Sequence, residues 1–391
     1  MTDDAPGPSA GPLEPGDPAL LERALRLVAG STTDLAGTGL RVPLAYYRDP
    51  GVLARERDVL LRTPLALVES ARLPGPGAFV VRDVLGTSVV VTRNADGTAR
   101  ALVNYCRHRG ARVADGCGSS RRFACPYHGW TYDTDGRLVG IPGREGFDDV
   151  DPDDAGLVAL PCEERNGLVW VVLTAGLPID VRSHLGPLDA ELAGWRLGTC
   201  EWFTEREFES EVSWKAAMEA FAENYHFPYV HGASIVGATT IGNTATFDTY
   251  GPHHRLGFPT RWITDLPAGA APQDGMALIY WIYPNLTLAV SSVGVEVIDI
   301  LPAGDPLRCR LRHGWMARVP AAGDQATLDG YADLYEQVHA AVRDEDFGML
   351  PRCADGIRNG QHGHLLIGRN EPGVQHIVRT LAAASAFDLD G

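Results

Sequence analysis

The sequence predicts an α+β fold: an N-terminal antiparallel β domain followed by an α+β domain built as a helix-covered antiparallel sheet. Two observations carry this. Between about residues 79 and 173, β-branched runs of strand length alternate with turn signals such as Asn94-Ala-Asp-Gly97 and Asp133-Thr-Asp-Gly136. After residue 176 longer stretches of helical spacing mix with strands, and the stretch Leu328 to Leu350 carries an apolar stripe. A chain of 391 residues can build two or three domains. We expect 1–40 to be a disordered leader and short helix, 41–175 the β domain, and 176–391 the α+β domain.

In order along the chain, residues 1–16 hold four prolines and almost nothing apolar, which predicts disorder. Asp17-Pro18 reads as an N-cap with Pro at the first helical position, so Ala19 to Val28 should be a short surface helix. A second helix is expected from Pro50 to Arg62. Strands follow at Phe79–Val84, Ser88–Arg93, Ala101–Tyr105, Thr131–Asp133, Leu138–Gly140 and Gly167–Leu173. Helical propensity then runs from Trp214 to about Tyr225.

Composition narrows the possibilities. A net charge of −16 leaves no basic footprint for nucleic acid. No apolar run approaches the roughly 20 residues of a membrane span. The N-terminus lacks the basic and apolar regions of a signal peptide, and seven cysteines do not make a disulfide framework, so the expected compartment is the cytoplasm. Cys117, Cys162, Cys200, Cys309 and Cys353 are expected to be free thiols, mostly buried.

Chemistry concentrates in two loops of the β domain. Cys106-Arg-His108-Arg-Gly110 and Cys125-Pro-Tyr-His128-Gly129-Trp130 supply two thiolates and two imidazoles, with sixteen residues between His108 and Cys125. A 2Fe–2S centre with two Cys on one iron and two His on the other needs this set. Tetrahedral zinc could use the same four, although zinc sites usually pair Cys with Cys and His with His. Gly110, Gly116, Gly118 and Gly129 flank the ligands and let backbone approach sulfur. Arg107, Arg109, Arg112, Arg121 and Arg122 crowd the same region, either as a docking patch for an acidic redox partner or as partners of nearby carboxylates.

These loops resemble the cluster motif of Rieske non-haem iron oxygenase catalytic (alpha) subunits, the aromatic-ring-hydroxylating dioxygenase family. Respiratory Rieske proteins have a further cysteine in each loop; these loops resemble the oxygenase form, so the stapling disulfide is not expected. The resemblance implies an N-terminal antiparallel β Rieske 2Fe–2S domain with ligands Cys106, His108, Cys125 and His128.

A second site is expected near Trp214 to His231. His226 and His231 would lie about 140° apart on a regular helix, and Pro228 between them suggests a break that could bring them together. On spacing alone, two ordinary histidines are the better reading. Further on, Tyr331, Tyr335, Val338, Val342 and Met349 form the apolar stripe of a helix, and Asp346 falls on that inward face. A carboxylate there is costly unless it is paired or holds a metal, so Asp346 completes a His/His/Asp triad of the kind that binds non-haem Fe(II). The resemblance extends from about residue 42 to 380 and matches Trp214-Lys, Glu223-x-Tyr225-His226, His231 and Glu345-Asp346, with Asp346 the third ligand. It also implies that Glu223 bridges the iron histidine of one subunit to a cluster histidine of the next, so Glu223 and Asp346 are the catalytic candidates. Residues near Phe221, Phe227, Ile235, Tyr283 and Met349 are candidate cavity walls.

The implied protein is an oxygenase component with one 2Fe–2S cluster and one mononuclear Fe(II), taking O2 and a small organic, possibly aromatic, substrate. NAD(P)H would act only through a separate reductase, with or without a ferredoxin, since no G-x-G-x-x-G motif occurs. A head-to-tail homotrimer is implied; a beta subunit is left open. The alternatives are an N- or O-demethylating or N-oxidising monooxygenase, or, in a different class, an electron-transfer protein with an inactive second site.

Overall fold

The computed structural model describes residues 18–318 and 325–389. The expected disordered leader over residues 1–16 lies outside them. The first helix, Pro18–Ala29, and the next long one, Pro50–Arg62, fall where the sequence predicts. Asp49 caps the second by accepting from the Gly51 and Val52 amides, and Pro50 sits in the first turn, where its missing N–H costs nothing.

The first half carries three antiparallel sheets. Five strands pair in the order 159–160, 99–103, 87–93, 78–84 and 117–119. A second sheet joins 162–165, 168–171 and 65–69, and a third joins 122–124, 131–133 and 138–140. The predicted turns close as expected: the Gly97 amide donates to Asn94 O at 3.1 Å and that of Gly136 to Asp133 O at 3.0 Å. Both glycines have positive φ.

The second half is organised by a seven-stranded antiparallel sheet ordered 201–210, 309–317, 294–302, 286–290, 276–282, 253–259, 246–250. Along Met276–Ile282, residues Met276, Leu278, Tyr280 and Ile282 enter one core while Ala277, Ile279 and Trp281 enter another, the period-two alternation of a strand buried on both faces. One face packs on Pro18–Ala29, Val181–Leu185 and Leu188–Gly194. The other packs on Trp214–Glu219, Phe347–Asn359 and Pro372–Ala384. Among the described residues no helix is long and apolar enough to cross a membrane.

Two contacts join distant parts of the chain. Leu40–Pro43 pairs antiparallel with His364–Ile367 in a two-stranded ribbon. Arg312 of the large sheet reaches Glu69 at 2.7 Å and Glu205 at 3.3 Å and also pairs with Asp299, while Arg72 and Arg82 each meet Glu205 at 2.8 Å. The Glu205 carboxyl is held near pH 2: burial opposes its charge, and Arg82, Arg312 and Arg72 outweigh burial.

Candidate metal centres

The two ligand loops of the β domain are built alike. The Cys106 amide donates to Ala111 O at 2.8 Å and the Gly110 amide to Cys106 O at 2.9 Å. In the second loop Cys125 donates to Trp130 O at 2.7 Å and Gly129 to Cys125 O at 2.9 Å. Gly110 and Gly129 have φ of 76° and 74°, and a Cβ on Gly129 would stand 3.1 Å from Pro142. The loops bury both cysteines in a small core with Phe123, Trp130 and Tyr132, while His128 is exposed and His108 partly so.

The His108 and His128 ring centroids are 4.6 Å apart. Trp130 is buried and stacks on His108 at 5.2 Å with planes 11° apart, so it is both core and lid. Tyr132 Oη lies 3.3 Å from Cys106 Sγ and accepts from the Arg107 amide at 3.0 Å. All seven cysteines are free; Cys200 and Cys309 are buried as expected, but Cys117 and Cys353 are exposed. Of the five arginines only Arg112 forms an ion pair among the described residues, with Asp83 at 2.9 Å.

The second centre forms where the 214 helix stops. Helical propensity runs on to Tyr225, yet the helix ends at Glu219 because side chains capture the backbone beyond it. Glu223 accepts from the Tyr225 and His226 amides. Asn224, buried, donates to Ile241 O at 3.0 Å and Thr244 O at 2.7 Å. The break therefore precedes Pro228, which sits in the first turn of a short helix, Phe227–Val230, flanked by the two histidines. Opposite, Ala341–Asp346 is a π-helical turn, a wider coil common at functional sites. It directs Asp346 and Glu345 inward while Asp344 stays exposed against Arg343.

The resulting triangle is compact. His226 Nε2 lies 3.2 Å from His231 Nε2 and 3.3 Å from Asp346 Oδ1, and His231 Nε2 lies 3.1 Å from Asp346 Oδ1. Donors bound at about 2.1 Å lie about 3.0 Å apart on an octahedral face and about 3.4 Å apart on a tetrahedral edge. One metal ion fits these three atoms. Their remaining nitrogens are occupied: His226 Nδ1 pairs with Glu223, and His231 Nδ1 with Glu345 Oε2 at 2.6 Å. Those carboxylates fix both rings with Nε2 facing the centre.

The site calls for positive charge. Burial disfavours a charged His226, yet Asp346 and Glu223 outweigh it and push the ring up to about 10. His231 rises for the same kind of reason, and Asp346 is held low by both histidines despite burial. Phe227 packs edge-on against His226 and His231 at 4.9 and 5.1 Å and against Phe258 at 5.6 Å, shielding one side from water. Met349, expected in the stripe and the cavity wall, is 40% exposed: the π turn shifts the register after Val342 and rotates it outward. The role of Glu345 beside His231 was not read from sequence.

Among the described residues this triad is the one set whose three donors fall within 4.8 Å of one another.

Comparison with known proteins agrees with both centres. The family model for the Rieske [2Fe-2S] domain matches residues 63–152, and that for the ring hydroxylating alpha subunit (catalytic domain) matches 199–386. The glycine betaine monooxygenase oxygenase subunit of Chromohalobacter salexigens is 30% identical over 192 residues, 49% of this chain and 43% of that protein. The N,N-dimethyl phenylurea N-demethylase subunit alpha of a Sphingobium species is 33% identical over 200 residues, 49% and 43% of the two chains. The matches thus span about half the length of these curated relatives. Among solved structures, a quaternary ammonium Rieske monooxygenase with L-carnitine superposes with TM-score 0.76 at 20% identity, covering 90% of this chain and 96% of that one. Naphthalene 1,2-dioxygenase from a Rhodococcus species gives 0.72 at 17% identity, covering 94% and 97%.

Proposed function

This chain belongs to the catalytic (alpha) subunits of Rieske non-haem iron oxygenases, and from that membership we propose that it is the oxygenase component of a system that oxidises a small organic molecule with O2. The observation that carries the proposal is the pair of donor sets in one chain: two thiolates with two imidazoles on the β-domain tip, and the His226–His231–Asp346 triangle. Cys106, His108, Cys125 and His128 would hold the 2Fe–2S cluster, and the triangle would hold mononuclear iron. When bound, the cluster supplies one-electron steps and the iron supplies redox chemistry toward dioxygen.

The chain's own residues do the positioning. Glu223 and Glu345 hold the Nδ1 protons of His226 and His231, which presents both Nε2 lone pairs inward. Phe227 excludes water from that side. Electrons come from an NAD(P)H reductase, with or without a ferredoxin, whose acidic surface would meet Arg107, Arg121 and Arg122. A head-to-tail homotrimer would bring the exposed His128 of one copy to Glu223 of the next. Tyr225 and Tyr229, 47% and 80% exposed with ring centroids 6.3 Å apart, are an apolar surface such a copy would cover. An electron carrier with an inactive second site finds no support, because the triad is complete.

A second reading is favoured by the relatives that act on methylated nitrogen: hydroxylation of an N-methyl group, which splits into formaldehyde and the demethylated amine. The test is a product screen with a surrogate reductase and ferredoxin, aromatic and methylamine substrates, and formaldehyde detection. Product that survives His226→Ala or Asp346→Ala would refute the iron assignment.

A further inference from the structure

The two histidines of the tip have unlike neighbours. His108 lies flat against Trp130, a buried and uncharged ring that Phe147 meets edge-on at 5.3 Å. His128 is exposed, and the ring against it is Tyr127, with centroids 3.8 Å apart and planes 30° apart. Arg109 in turn lies over Tyr127, its Cζ 5.1 Å from the ring centroid, and its Nη1 donates to Tyr127 Oη at 3.1 Å. Arg109 belongs to the first ligand loop and Tyr127 to the second.

Arg109 has no carboxylate partner among the described residues, whereas Arg112 is neutralised by Asp83. A planar guanidinium on an aromatic face is attracted by the ring quadrupole, and its hydrogen bond fixes the orientation. The stack thus fastens one loop to the other and places an uncompensated positive charge on the ring that touches the outer histidine. Reduction adds negative charge to a cluster, so a fixed cation nearby favours the reduced form.

We propose that Arg109 and Tyr127 form a noncovalent staple between the two ligand loops that retains the cluster and raises its reduction potential. Both are positioning residues, acting through His128. The inference rests on the reading of the tip as a 2Fe–2S site.

The test uses the iron-loaded full chain, with the midpoint potential measured by redox titration at low and high salt and cluster retention measured by bleaching of the visible absorbance. In Arg109→Gln the midpoint falls and bleaching quickens, and the midpoint difference from wild type shrinks at high salt. Arg109→Lys restores the midpoint, because charge is restored, but not the retention, because an ammonium lacks the planar fork. Tyr127→Leu lowers the midpoint, and adding Arg109→Gln lowers it no further, since the cation has lost its seat. Arg112→Gln leaves the midpoint unchanged. Wild-type midpoint and bleaching in Arg109→Gln, with an intact Rieske-type EPR signal, would overturn the proposal. Should Arg109→Gln fail to take up cluster, Arg109→Lys decides: faster bleaching at a wild-type midpoint supports the staple, and unchanged bleaching removes it. Absence of the EPR signal in the wild-type protein would instead sink the cluster reading itself.

Discussion

His226 Nε2 and His231 Nε2 stand 3.2 Å apart, although a regular helix would turn residues five apart to different faces. The bend made by Glu223 and Asn224 and the single turn over Pro228 undo that divergence. Two lone pairs and the Asp346 carboxylate oxygen then converge on one point.

That convergence makes the triad separable from the cluster. His226→Ala and Asp346→Ala should each lower iron from about three to about two atoms per chain, leaving the Rieske EPR signal intact. Iron analysis with EPR on the same samples checks this. Loss of the cluster signal together with the third iron would mean that the two centres do not load independently.

Glu345 should matter nearly as much as a ligand. It accepts from His231 Nδ1 at 2.6 Å, and removing such an outer partner typically costs 10–100-fold in metal affinity. Glu345→Gln should release iron to a chelator at correspondingly lower concentration, whereas Asp344→Asn, exposed and paired with Arg343, should not. Equal release from the two variants would deny Glu345 this role.

Glu219 should give the protein a distinct pH profile. Its carboxyl is buried and pushed up to about 8 by desolvation, only partly offset by the Tyr47 hydroxyl at 2.8 Å and by Lys215; Glu371 adds repulsion. Lys215 is already matched by Glu56 at 2.5 Å, so its one ammonium does not also neutralise Glu219. Since the folded pKa is raised above that of the unfolded chain, the contribution is fully present below about pH 4.5 and is lost as pH rises through about 8. Denaturation midpoints of metal-free protein across that window should fall more steeply for wild type than for Glu219→Gln. Parallel curves would mean that the carboxyl is not held neutral.

Arg312 should be costly to remove, because it is a buried cation. Its side chain is 5% exposed and bonded to Glu69, Glu205 and Asp299. Arg312→Met takes from Asp299 its cation and leaves Glu69 and Glu205 to Arg72 and Arg82 alone, a loss of about 3–5 kcal/mol. Urea denaturation measures it; a loss below about 1 kcal/mol would show that water replaces the guanidinium.

What was legible in the sequence was what is local. Cys106, His108, Cys125 and His128 lie in two short loops whose glycines and spacing announce them, and the strands around Asn94 and Asp133 follow from turn chemistry. The helix through Asp346 was legible as a stripe, but its π turn was not, because nothing in Ala341–Asp346 departs from ordinary helical composition. That turn moved Met349 outward and brought Glu345 to His231. The end of the 214 helix was equally hidden, since Asn224 is held by a loop seventeen and twenty residues away. The Glu69–Arg312 contact joins positions 243 residues apart, beyond the reach of any window on the sequence.

The ribbon between Leu40–Pro43 and His364–Ile367 has a consequence for dissection of the molecule. Seen as a path, the described chain starts and finishes against the second half, and the cluster-bearing sheets are a detour taken between two visits to it. The first helix makes the same point, since Leu20 and Ala24 lie in the core of the large sheet. A fragment starting near residue 176 would therefore lack a strand and a helix of its own half, and one ending there would carry both as orphans. Exchange of cluster modules between relatives should succeed when the cuts fall on either side of the detour, and fail when the chain is simply divided in two.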